Sequence, residues 1–133
     1  MVDAGRPPSL LVSSFVAPVE RGAMIARWLR DTREPAAPTA VLCGGADNAV
    51  PLYVAALQAG IAVPQDLSIL TIHDEAVDIA GPRISLMCLP AGEMAMAGLE
   101  ALNQKIADPA RPIPPRPLAL KYQEGMTLAA PRN

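Results

Sequence analysis

The sequence predicts an α/β fold with a mostly parallel sheet flanked by helices, and three observations carry that prediction. Apolar runs with little alternation recur at "TAVLC" (39–43), "LSILTI" (67–72) and "ISLMCL" (84–89), as expected of parallel strands covered on both faces. Segments of helical period lie between or after them. The resulting order is strand, helix, strand, helix, strand, strand, helix, strand, which is the signature of an α/β chain. A length of 133 residues suits one domain, and with 51% apolar residues but only 3% aromatic ones the core must be made of aliphatic side chains and Met.

Taken in order, "LLVSSF" (10–15) reads as a short strand. Pro18 opens a helix to about Arg30, with Met24, Ile25, Trp28 and Leu29 on one face, and "REPAAP" (33–38) ends it because proline lacks the amide donor. After "TAVLC" comes the tight turn "GGADN". A helix from about Ala49 to Ala59 follows, with Asn48 as its expected N-cap and Gly60 as its left-handed terminator. The stretch between "LSILTI" and "ISLMCL" is too short for a crossover helix and reads as a loop or a single turn. From Gly92 to Ile106 a helix places Ala95, Leu99, Leu102 and Ile106 on one stripe. A proline-rich linker at 108–117 leads to a last strand, "LALKY", in which Leu118, Leu120 and Tyr122 alternate with Ala119 and Lys121.

Composition excludes several functions. Eleven basic and thirteen acidic side chains leave a formal charge of -2, with the arginines scattered, so no nucleic-acid footprint is present. No apolar stretch approaches the roughly 20 residues of a membrane span, and the N-terminus has no export pattern, which makes the cytoplasm the expected compartment. Cys43 and Cys88 sit in apolar runs without C-x-x-C spacing and are expected to be reduced buried thiols rather than metal ligands. Neither a metal nor a cofactor is expected. Met87, Met94 and Met96 read as adaptable core filling.

Chemistry is expected beyond the carboxyl ends of the parallel strands, where loops converge and helix N-termini point outward. Gly44 and Gly45 could cradle a phosphate, but no G-x-x-x-x-G-K-[ST] or G-x-G-x-x-G follows, and a tight strand-to-helix turn needs glycine for its own dihedral reasons. His73, Asp74, Glu75 and Asp78 could form an acid/base set or simply a solvated acidic loop. Neither Ser68 nor Cys88 lies in a catalytic signature, so no catalytic residue is assigned and the chain is not expected to be an enzyme; a small α/β enzyme using His73 or Cys88 is the alternative.

The stretch from Pro38 to about Met96 resembles the effector-binding core of lactose/galactose-repressor (LacI/GalR) family transcriptional regulators. "AGIAVPQDLSIL" (59–70) has the family's helix-ending glycine, then V-P-x-D, then Ser and an apolar strand; "ISLMCLPAGEMA" (84–95) has its strand followed by proline, two residues and Glu-Met. Asp66 is expected to bond nearby turn amides. The resemblance implies an incomplete type I periplasmic-binding-protein-like sensor domain occupying residues 1–133, about the last two-fifths of such a regulator. Where the family usually carries Ala-Asn-Asp, this chain has Gly44, Gly45 and Ala46, followed by Asp47. Where it usually carries Gly-Phe-Asp-Asp, with the first Asp on the ligand, Thr71, Ile72, His73 and Asp74 stand. The candidate effector-binding residues are therefore Gly45, Asp47, His73 and Asp74.

An imidazole in place of an acceptor-only carboxylate implies that any small-molecule effector is not an ordinary neutral sugar, and is either anionic or absent; a non-functional truncated sensor, with His73 as a solvent-facing strand end, is the alternative. These residues hold no helix-turn-helix, so DNA is expected to be reached only through a head outside them. The resemblance also assigns the last helix to a second lobe, which leaves its apolar stripe without its usual partner. Self-association or marginal stability is the expected consequence.

Overall fold

The computed structural model describes residues 39–79 and 81–130, together with Met24, which is helical. The predicted strand at 10–15 and, Met24 apart, the helix at 18–30 lie outside the described residues. Met24 apart, the described residues form six elements: β1 (Ala40–Gly44), α1 (Ala46–Gln58), β2 (Ser68–His73), β3 (Ser85–Cys88), α2 (Ala91–Ala107) and β4 (Lys121–Gln123). The four strands form one sheet in the order β1-β2-β3-β4, parallel across the first three and antiparallel at β4. This is the mostly parallel α/β architecture that the sequence predicts.

The core lies on one face of that sheet. Ala49, Leu52, Tyr53 and Ala56 recur at helical spacing on α1 and pack with Cys43, Ile69, Leu67, Ile61 and Ile84. Full burial of a side chain such as Leu67, Ile69 or Ile84 contributes about 1.5–3 kcal/mol each. The opposite face is thinly covered: Leu42 of β1 is 61% exposed and Leu70 and Ile72 are only half-buried. The expectation of strands covered on both faces therefore holds for one face only among the described residues.

Helix α1 starts earlier than its sequence suggests. Gly45, at φ +91°, is the N-cap, and Asn48 lies inside the first turn with its Nδ2 donating to Gly44 O at 2.8 Å. The expected cap is thus a tie back to β1, because a glycine already supplies the sharp exit from the strand. The C-terminus follows expectation. Gly60 adopts φ +69°, its N–H bonds Leu57 O at 3.0 Å, and Ile61 N–H bonds Ala56 O at 2.9 Å, the paired bonds of a Schellman motif. Asp66 then accepts the Ala62 N–H at 2.9 Å, as expected of a turn-holding carboxylate.

The tail carries a feature that the sequence pattern does not announce. Past β4, Thr127 is fully buried between the starts of β2 and β3, where its Oγ1 donates to Ile69 O at 2.6 Å and accepts the Ser85 N–H at 2.9 Å. Its own carbonyl accepts the Ile69 N–H at 2.7 Å. Gly125 permits the approach, since a Cβ there would collide with the backbone of Ser85, Ile84 and Arg83. The predicted strand at 118–122 is shorter and later than expected, because only Lys121–Gln123 reach hydrogen-bonding register with β3.

Among the described residues helix α2 has no buried side chain and packs against neither α1 nor the sheet, its Glu93 Oε1 lying 3.8 Å from Lys121 Nζ of β4. The proline-rich segment runs beside it as a strap, which half-buries Ala97, Ala101 and Gln104 and leaves Leu99, Leu102 and Ile106 more than half exposed on the other side. Met94 and Met96, expected in the core, are 49% and 68% exposed. Their helix has no described layer to pack on. Among the described residues no helix is long and apolar enough to cross a membrane.

Candidate functional site

The carboxyl ends of β1 and β2 bring the four candidate residues to one rim of the sheet. Gly44 pairs in register with Ile72, and the Gly45 N–H bonds Ile72 O at 3.0 Å, so the β1–α1 turn is fastened to the end of β2. Gly45 presents backbone only. Asp47 lies in the first turn of α1, where a carboxylate also complements the positive end of the helix dipole.

His73 is the last residue of β2 rather than the first of a loop. Its Nδ1 lies 3.3 Å from Asp74 Oδ1, with the two side chains 37% and 50% exposed, so both groups face outward at the rim. The backbone beneath them is anchored from β3. The Leu89 N–H bonds His73 O at 2.8 Å, and Cys88 Sγ donates to Asp74 O at 3.3 Å. Sequence reading missed this supporting role of Cys88, which depends on the register His73 with Cys88 across two strands and has no local signal.

The wider acid/base set does not form. Asp78 is held by Arg83, with Oδ1 to Nε at 2.8 Å and Oδ2 to Nη2 at 3.3 Å, in a turn closed by a bridge between the same two residues. The guanidinium keeps the Asp78 carboxyl below its ordinary range, first through the hydrogen bond. Asp78 is thus a structural ion pair and not a partner of His73. Cys88 is half-buried, a correction to its expected burial, and no hydrogen bond joins its thiol to His73. Cys43 is the inert thiol that the sequence suggests, since burial pushes it up to about 11. Among the described residues no three His, Cys, Asp or Glu groups gather as metal ligands.

The two loop ends carry hydrogen-bonding groups, the His73 imidazole beside the Asp74 carboxylate after β2 and the Asp47 carboxylate with the amides of a helix start after β1. They suit holding a small polar molecule better than activating a nucleophile.

Similar proteins fit that geometry. Residues 10–126 match the profile of the periplasmic binding protein-like domain family. The ribose operon repressor of Haemophilus influenzae is 40% identical over 73 residues, spanning 54% of this chain and 22% of the repressor. Among solved structures, a LacI family transcriptional regulator from Bifidobacterium animalis superposes with a TM-score of 0.69 at 22% identity, over 86% of this chain and 41% of that one. A LacI family regulator from Arthrobacter in complex with lactose gives 0.67 at 18% identity, over 86% and 42%. The chain thus spans about a fifth of the curated relative and two-fifths of the solved ones. It belongs to the periplasmic binding protein-like domain family.

Proposed function

We propose that this chain is the small-molecule-sensing portion of a transcriptional regulator, with Gly45, Asp47, His73 and Asp74 as one wall of the effector site. The observation that carries the reading is the shared rim: the β1–α1 turn and the end of β2, which bear the four residues, are joined by the Gly45 to Ile72 hydrogen bond. DNA is reached through a head outside these residues, and no catalytic step is assigned. The stripe of Leu99, Leu102 and Ile106 on α2 is the seat for further protein, either the second lobe of the sensor or another copy.

The names of the relatives point to sugars, while His73 refines the choice. A neutral polyol would find no carboxylate acceptor at this position, whereas a sugar phosphate or sugar acid would gain a donor, and a charged one if the imidazole is protonated. The effector is accordingly an anionic sugar derivative. Titration of the chain with D-ribose and with ribose 5-phosphate, followed by calorimetry, tests this. The phosphate ester should bind more tightly, and His73→Ala should weaken it roughly tenfold, about 1.4 kcal/mol. Tighter binding of neutral ribose, or an affinity indifferent to His73→Ala, would sink the assignment.

A further inference from the structure

We propose that Asp74 makes the His73 ring a proton-coupled receptor for an anion: effector and proton enter together, the ligand on Nε2 while Asp74 holds Nδ1. The inference rests on the effector reading above and adds the regulation of that site. It starts from the only imidazole in the chain. His73 Nδ1 lies 3.3 Å from Asp74 Oδ1. An ionised carboxylate accepts and never donates, so the nitrogen beside it is the one that carries the proton of a neutral ring. The two ring nitrogens point to different sides, and a ring protonated at Nδ1 turns a bare lone pair outward at Nε2.

An anion has only acceptors to offer that lone pair, so the neutral ring repels it. The imidazolium has a donor at both nitrogens and can hold Asp74 with one and the anion with the other, through a charge-assisted hydrogen bond. A neutral hydroxyl, by contrast, can donate to the bare Nε2. The preference for an anion over a neutral sugar is therefore greatest in acid and shrinks as pH rises.

The charges around the ring give the proton this weight. Residues 39–79 contain neither Lys nor Arg, and Arg83, the next basic residue along the chain, is held by Asp78 at 2.8 Å. Lys121 of β4, in register with Cys88, is paired with Glu93 at 3.8 Å. The other ionisable groups at the strand ends are acids: Asp47 on α1, Asp74 and Glu75 after β2, and the Cys88 thiol in register with His73. Ionised acids oppose an incoming anion, so the charge on the imidazolium decides whether the site accepts one. Histidine changes charge between about pH 5 and 8, while free carboxylates titrate near pH 4, so the two kinds of group can be told apart by titration.

With a single histidine, the isotope-labelled full chain gives one pair of ring-nitrogen NMR signals. Above pH 8 these should report the proton on Nδ1, and in Asp74→Ala they should report it on Nε2. Calorimetry with D-ribonate, whose carboxylate keeps its charge across the range, should show affinity falling by up to about tenfold per pH unit between pH 6 and pH 8. Two buffers of different ionisation enthalpy should then reveal close to one proton taken up per ligand bound at pH 8. His73→Gln should bind ribonate weakly with a flat profile. Asp74→Ala should make the profile shallower and raise the affinity at pH 8 above that of the wild type, whereas loss of a merely structural Asp74 would lower affinity at every pH. A proton on Nε2 in the wild type, a flat ribonate profile, or a profile unchanged in His73→Gln would overturn the coupling and leave the effector reading standing. Ribonate that binds at no pH would overturn the coupling as well, and, if ribose 5-phosphate also failed to bind, the effector reading with it.

Discussion

Residues 39–89 and residues 91–120 are made of the same aliphatic material and end up in opposite states. In the first stretch α1 lays its apolar face on the sheet, and Leu67, Ile69, Ile84 and Leu86 are at most 1% exposed. In the second, α2 has an equally regular stripe, yet Leu99, Leu102 and Ile106 are 52–70% exposed and its neighbour is a strap that covers the alanine side. Periodicity sets which face of a helix is apolar. Whether that face is buried depends on a second layer, and the described residues supply one for α1 but none for α2.

The largest test of this contrast compares the same kind of truncation in the two halves. Ile69→Ala opens a void in a sealed core and should cost about 3 kcal/mol in urea-induced unfolding. Leu102→Ala removes a side chain already in solvent and should change stability by less than about 0.5 kcal/mol. A loss at Leu102 comparable to that at Ile69 would mean the stripe is covered in solution, by a second copy or by residues outside those described.

A second test separates polar groups within the sealed half. Thr127→Val keeps the volume but strips the Ser85 N–H of its acceptor and Ile69 O of a donor, at an expected cost of about 2 kcal/mol. Ser85→Ala should be neutral or slightly stabilising, because the buried Ser85 Oγ has no hydrogen-bond partner among the described residues. Equal losses at the two positions would show that the tail stitch matters no more than its surroundings.

The same contrast explains what could be read from the sequence. The parallel strands, α1 and its Gly60 terminator and the Asp66 turn rest on local pattern, and each was legible. Thr127 was not, since its role depends on contacts with Ile69 and Ser85, 58 and 42 residues away. Asn48 was misjudged because Gly45, with its positive φ, is a competent cap and displaced the better-known one. Asp78 looked like a neighbour of His73 along the chain, but the turn at 78–83 pairs it with Arg83 instead. The exposure of Met94 and Met96 was invisible because a helical pattern does not say which layer it meets.

The smallest effect concerns the two thiols, one in each environment. Cys43 is sealed under α1, and burial raises its pKa from 9.0 to about 11, whereas Cys88 sits half-buried at the rim. A raised folded-state pKa means that the native protein holds its proton more tightly than the unfolded chain does. The contribution is fully present below pH 9 and is lost as pH rises toward 11. Between pH 8 and pH 10 the wild type should lose about 1 kcal/mol more stability than Cys43→Ala, in which the other titrating groups cancel. Thiol labelling of the native chain at pH 8 should likewise modify Cys88 well before Cys43. Matching pH profiles for wild type and Cys43→Ala would mean that solvent reaches the thiol, and the seal between α1 and β1 would then be looser than the packing of Ala49 and Leu52 requires.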